Sequence, residues 1–209
     1  MILHGYWRSG SSYRTRIALN LKGLAYAQRG VDLRQGVQRS EAFLRLNPQG
    51  LVPALEVDGT VLTQSPAILE WLEEAHPEPP LLPADPVGRA QVRAMASLVG
   101  CDIHPLNNLR VLKAVKAVGG EDADTDAWAA RWIDPGFDAL EALVARHGDG
   151  WCFGAAPTLA DCYLIPQIYS ARRFNVALDA WPKLAAIDSR TADHPAFIAA
   201  HPDRQPDAD

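Results

Sequence analysis

The sequence predicts an α/β domain over residues 1–78, a linker over 79–88 and an all-α domain over 89–209. Three observations predict this. Short β-rich runs alternate with helically spaced segments as far as Ala75. Proline then clusters at Pro77, Pro79, Pro80, Pro83 and Pro86, a density that reads as an inter-domain connection. Beyond the cluster, apolar residues recur at intervals of three and four, the period of a helix.

Taken in order, Ile2 to Trp7 reads as a strand and is followed by turn chemistry at Arg8-Ser9-Gly10-Ser11-Ser12. Arg14 to Lys22 carries Ile17, Ala18 and Leu21 at helical spacing, and Gly23 stops it. Ala25 to Leu33 suits a second strand, and Ser40 to Leu46 a short helix ending before Asn47-Pro48. Val52 to Val57 and Thr60 to Thr63 flank Asp58-Gly59, a strong hairpin signal. Ser65-Pro66 opens a helix, since serine caps well and proline suits the first turn. The order β-α-β-α-β-β-α matches a thioredoxin-like arrangement.

In the second half Val92, Met95, Val99, Ile103 and Leu106 step along one face of a long helix, which Pro105 kinks or interrupts. Trp128 to Val144 is a further helix. Thr158-Leu159-Ala160-Asp161 outlines a capping box, and Cys162 to Ser170 after it is apolar nearly all round, as in a buried helix. Trp181-Pro182 opens another helix, and the segment after His201 reads as polar and loose.

Composition narrows the function. The net charge of -5 with interleaved signs argues against nucleic acid, and no apolar run approaches the roughly 18 residues of a membrane span. The cysteines, Cys101, Cys152 and Cys162, form no CxxC pair and suit reduced thiols in the cytoplasm. No two histidines have the spacing of a helical metal site, so no metal is expected.

The first strand–helix junction is where a thioredoxin-like domain usually carries thiols. Here it carries the hydroxyls of Ser9, Ser11 and Ser12. Hydroxyls and a helix N-terminus favour an anion and can lower the pKa of a thiol, so they suggest a thiol brought from outside. Gln64-Ser65-Pro66 is a second such helix start, suited to a carboxylate. A cis proline at Pro53 would leave the Val52 backbone free to pair with an extended peptide. Each feature alone has a plainer reading, as a helix cap or an ordinary edge proline. Together they describe a site for an acidic tripeptide carrying a thiol.

The run from Arg8 to Leu19 resembles the signature of the zeta-class glutathione transferases, an Arg-Ser start leading into Arg-x-Arg-Ile-Ala-Leu. Asn47 to Leu55 and Gln64 to Ile68 resemble the superfamily's glutathione-binding segments. Pro166-Gln167, Arg173-Phe174 and Arg204 to Asp207 also look zeta-like, so the resemblance spans nearly the whole chain. It implies a glutathione transferase fold, glutathione as cofactor and a homodimer. It implies catalytic roles for Ser9, Arg8 and Ser11, with Ser9 stabilising the glutathione thiolate. Gln49, Val52, Pro53, Gln64, Ser65, His104 and Asn108 would hold the tripeptide, His104 and Asn108 from one face of the first long helix. Asn107 and Arg110 would line its edge. Arg8, Arg110 and Arg173 would anchor substrate carboxylates, for which arginine's planar fork is suited. Many zeta members have Cys where this chain has Ser11, and a thiol there is not needed to add sulfur to an alkene. The implied reaction is cis–trans isomerisation of a maleyl diacid, maleylpyruvate or maleylacetoacetate, in aromatic catabolism. The competing expectations are a general transferase that conjugates electrophiles and a non-catalytic binding scaffold.

Overall fold

In the computed structural model of the chain, residues 1–120 and 124–208 are described. Contacts divide it into two units, Met1–Leu81 with Ala192–Asp209, and Leu82–Thr191.

The first unit is built on four strands, β1 (Ile2–Gly5), β2 (Ala27–Gly30), β3 (Ala54–Val57) and β4 (Thr60–Thr63), in spatial order β2-β1-β3-β4. β1 pairs parallel with β2 and antiparallel with β3. A parallel neighbour requires a crossover, and α1 (Gly10–Leu21) supplies it. The helix starts four residues before the expected Arg14 because Ser9 caps it, accepting from the Ser12 N–H. β2 is shorter than expected. After Val31, whose N–H still reaches Gly5 O at 2.7 Å, the Asp32 carboxylate accepts from the Arg34 backbone and turns the chain away. β3 and β4 form the expected hairpin. Asp58 and Gly59 both have positive φ, 47° and 80°, as the two-residue turn that matches strand twist demands. α2 (Glu41–Leu46) is capped by Ser40, and α3 (Ser65–Ala75) follows β4.

A buried ion pair closes this unit. Lys22 Nζ donates to Glu73 Oε2 at 2.9 Å, His76 O at 2.7 Å and Pro79 O at 3.0 Å. All three ammonium donors are thereby used. Glu73 Oε2 also accepts from the Leu81 N–H at 3.0 Å.

Two expectations about the last residues change. Residues 192–208 pack on the first unit, although the sequence reading put 89–209 in one helical domain. Nor is the segment after His201 loose. Gln205 is buried and donates to Ala199 O and His201 O, at 2.9 and 2.7 Å. The partners lie in the fold rather than in the local pattern. Fully buried Arg16 on α1 donates to Ala200 O, and Asn20 to Ala196 O.

The second unit is helical among its described residues. α4 (Pro86–Ser97) is capped by Asp85. It runs into a wide π-type turn, Leu98–Ile103, and a narrow 3-10 turn, His104–Asn107. The sequence reading put His104 and Asn108 on one face of the first long helix while expecting Pro105 to kink or interrupt it. The interruption is there, and the shared face is not. Pro105 lacks an N–H and crowds the preceding turn. The backbone tightens around it, and Asn108 is extended, at φ -67° and ψ 144°. α5 (Leu109–Gly119), α6 (Thr125–His147), α7 (Leu159–Arg173) and α8 (Pro182–Thr191) follow, and α9 (Pro195–Ala200) returns to the first unit. Pro135 and Pro166 lie inside α6 and α7 without ending them.

The expected capping box at α7 is formed. Asp161 Oδ2 accepts from the Thr158 N–H at 2.8 Å and the Thr158 hydroxyl at 2.9 Å, while Oδ1 accepts from the Cys152 N–H at 2.9 Å. α7 is buried from Leu159 to Ile168. Among the described residues, no helix is long and apolar enough to cross a membrane, and no three His, Cys, Asp or Glu side chains group as metal ligands.

Candidate active site at two helix N-termini

The chain leaves β1 and enters α1 through a tight turn in which Ser9 N–H donates to Tyr6 O at 3.0 Å. Ser12, fully buried, accepts from the Tyr6 N–H. With both ends of the turn pinned, Ser9 and Ser11 sit half-exposed at the start of α1. Their hydroxyls lie 3.2 Å apart. Ser11 donates its hydrogen to Val52 O at 3.1 Å. A hydroxyl has one hydrogen, so Ser9 is the donor in the Ser9–Ser11 contact. Ser9 Oγ also accepts from the Ser12 N–H at 3.3 Å. The Ser9 hydrogen is therefore the mobile member of a short chain, and an anionic atom at the helix N-terminus can take it without breaking the cap.

Val52 is presented by a loop held from beneath. Asn47, buried, donates to Leu51 O at 2.7 Å and accepts from the Gln49 N–H at 3.1 Å. Gly50 adopts φ 63°, and an added Cβ would meet Gln38 O at 3.0 Å. The Val52–Pro53 peptide is cis.

A second cluster forms at the start of α3. Gln64 lies at φ 66° and ψ 110°, a left-handed backbone that non-glycine residues rarely adopt. Its side chain donates to Gln49 Oε1 rather than capping the helix. Ser65 is buried, and its Oγ accepts from Arg14 Nη1 at 2.8 Å. The Ser65 hydrogen thus remains for a ligand, beside first-turn amides that no Gln64 side chain occupies and a buried cation behind them. Free amides and positive charge at a helix N-terminus suit a carboxylate.

The structure brings together Ser9, Ser11 and Val52 in one hydrogen-bonded group, Gln49 and Gln64 in another, and Ser65 with Arg14. Buried Pro53 follows Val52. Arg8 is adjacent to Ser9 in sequence, its guanidinium 5.4 Å from the Trp7 ring centroid. Sequence reasoning gave no role to Arg14 or Asn47. A signal for Arg14 was present: it lies three and four residues before Ile17 and Ala18 on α1, both fully buried, so its charge must enter the interior and find a partner.

The other expected residues belong to the second unit. His104 opens the 3-10 turn. Asn107 is buried, and neither amide atom of its side chain has a hydrogen-bond partner among the described residues. Asn108 caps α5, accepting from the Arg110 N–H at 3.1 Å. Arg110 is exposed in the first turn of α5, which has no acidic residue. Arg173 is the exposed last residue of α7, its guanidinium 5.9 Å from the Phe174 ring centroid.

Comparison with known proteins agrees in both halves. The family profile of the glutathione S-transferase N-terminal domain matches residues 9–75, and that of the C-terminal domain residues 126–199. The chain is 53% identical to a maleylacetoacetate isomerase of Pseudomonas aeruginosa, over 99% of this chain and 98% of the relative. It is 52% identical to a maleylpyruvate isomerase of a Ralstonia species, over the full length of both. Among solved structures it resembles a holo maleylpyruvate isomerase, described as a bacterial zeta-class glutathione S-transferase, with TM-score 0.97, 51% identity and complete coverage of both chains. A maleylacetoacetate isomerase from Anaeromyxobacter dehalogenans with glutathione bound in its active site gives TM-score 0.90 at 48% identity, covering 100% of this chain and 97% of that one.

Proposed function

Because the chain belongs to the glutathione S-transferase family and, within it, to the zeta-class isomerases, we propose that Ser9 and the N-terminus of α1 activate a glutathione thiol for cis–trans isomerisation of a maleyl diacid. The observation that carries the assignment of Ser9 is its hydroxyl hydrogen, which rests on Ser11 and is free to turn to an anion.

The residues present fit the tripeptide. Ser65, with Arg14 behind it, offers a hydroxyl hydrogen to a carboxylate. Gln49 and Gln64 offer exposed amides, and Val52 a backbone edge. Bound glutathione supplies a thiolate that adds reversibly to the maleyl double bond, so that the carbon–carbon bond can rotate before sulfur leaves. Ser9 holds the sulfur's negative charge, which lowers the thiol pKa by stabilising the ionised form. Ser11 fixes Ser9 by accepting its hydrogen in the resting site and braces Val52. Arg8, Arg110 and Arg173 bind substrate carboxylates and the charge that develops beside them. Arg110 favours this role by position. A cation in the first turn opposes the helix dipole, a cost that an anion at α5 would offset. The family resemblance assigns His104 and Asn108 to glutathione and Asn107 to the edge of its site.

The substrate is a short cis-alkene diacid conjugated to a ketone, within aromatic catabolism. A cytoplasmic homodimer suits the family and cysteines that form no disulfide.

The test is glutathione-dependent isomerisation of maleylpyruvate and maleylacetoacetate side by side, for wild type and Arg110→Ala. Turnover that vanishes without glutathione is expected, with selective loss on the shorter substrate in the variant. Conjugation of a general electrophile with no turnover of either diacid would sink the proposal.

A further inference from the structure

We infer that Asp207 is a positioning residue for the glutathione-activating loop, acting through the Trp7 peptide. The inference rests on the reading of Ser9 given above.

Trp7 lies two residues before Ser9 and leads directly into Arg8. Both polar groups of its backbone are held by side chains from elsewhere in the first unit. Its N–H donates to Asp207 Oδ2 at 3.0 Å. Its carbonyl accepts from Arg16 Nη2 at 2.8 Å, and the same guanidinium donates through Nε to Ala200 O at 2.9 Å. The loop is thus gripped on one side by a carboxylate and on the other by a buried cation that is tied to the end of α9.

Asp207 is itself fixed. Its Oδ1 accepts from Gln28 Nε2 on β2 at 2.9 Å. Its side chain lies so close to β2 that a Cβ added at Gly30 would meet Asp207 Cβ at 3.0 Å. Gln205 anchors the segment two residues earlier, through Ala199 O and His201 O. A group fixed at both oxygens can define where Trp7 sits, and through it the start of α1. Displacements of about 1 Å around a reacting group are enough to cost large factors in rate.

The geometry separates a positioning role from a merely structural one. Gln28 Oε1 is buried and has no hydrogen-bond partner. In Asp207→Asn the remaining oxygen can still accept from the Trp7 N–H. The new NH2 would then donate to Gln28 once that amide turns over. Asp207→Asn should therefore preserve the grip, while Asp207→Ala removes it.

Full-length wild type, Asp207→Ala and Asp207→Asn are each saturated with glutathione, and thiolate ultraviolet absorbance is followed against pH. KM for glutathione and kcat are measured in parallel. The expected result is a bound thiol pKa that rises towards that of free thiol in Asp207→Ala, with KM for glutathione about tenfold higher, and near-wild-type values in Asp207→Asn. Should Asp207→Ala fail to fold, Gln28→Ala, which frees one of the two oxygens, is titrated in its place and should give a smaller rise. A depressed thiol pKa in wild type that is unchanged in the alanine variant overturns the inference. So does equal impairment of the alanine and asparagine variants alongside a common loss of thermal stability. A wild-type complex whose thiol titrates like free thiol overturns the Ser9 reading first, and this inference with it.

Discussion

Ser9 carries two roles that one substitution can separate. As N-cap of α1 its oxygen accepts from the Ser12 N–H, and as donor it supplies the hydrogen now resting on Ser11. Loss of a cap costs about 1 kcal/mol of stability. Loss of a hydrogen-bond donor to a reacting anion costs about 10² to 10³ in rate. Ser9→Ala is therefore expected to fold, to melt a few degrees lower, and to lose kcat/KM by about two orders of magnitude, as steady-state kinetics beside a thermal melt would show. An activity loss under threefold would remove Ser9 from the chemistry. The residues of this site were unevenly legible. Ser9, Gln64 and Ser65 announce themselves by hydroxyl and amide chemistry at helix starts. For Arg14 only the burial is signalled, by its helical spacing; its role depends on Ser65, which is 51 positions away and meets it only in the fold.

Elements were legible where a local signal sets them. The Asp58-Gly59 hairpin and the Thr158–Asp161 box appear as read, because turn and cap chemistry is decided within four residues. Two points misled the reading for physical reasons. Pro105 reads as an interruption of the helix through His104, yet the expected face shared by His104 and Asn108 runs across it. The segment after His201 is polar, yet Gln205 and Asp207 find their partners in α9, β2 and the loop after β1. The end of α3 shows how such distant pairing holds an element. Lys22 and Glu73 are almost wholly buried, and each oxygen or hydrogen involved faces a partner. Removing one member of a buried pair leaves an uncompensated charge, worth about 3 to 5 kcal/mol. Lys22→Met should therefore lower stability by about that amount in urea unfolding. The double change Lys22→Met with Glu73→Leu should recover much of it, short of wild type because the Leu81 N–H then lacks its acceptor. A single variant as stable as wild type would show that the latch contributes nothing.

At the scale of the molecule, ligand grip and sulfur activation should appear as separate quantities, because stability responds to binding and not to chemistry. A ligand that binds only the folded protein stabilises it by about 2.7 kcal/mol at a hundredfold excess over its Kd. For a protein of this size each kcal/mol moves Tm by roughly 2 to 4 °C. Glutathione at that excess should thus raise Tm by about 5 to 10 °C. The grip assigned to Arg14, Ser65, Gln49 and Gln64 involves the carboxylate and amide parts of the tripeptide, whereas the role assigned to Ser9 concerns only sulfur. S-methylglutathione, which has no ionisable thiol, should therefore raise Tm in wild type and in Ser9→Ala alike. Arg14→Met should abolish most of the rise with either ligand, beyond any fall in its own unliganded Tm, because the Ser65 hydroxyl loses the cation that orients it. Scanning calorimetry of the three proteins, with and without each ligand, reads all of this directly. If Ser9→Ala loses the S-methylglutathione response while Arg14→Met keeps it, the tripeptide is held from the α1 end, and the carboxylate site at α3 is misassigned.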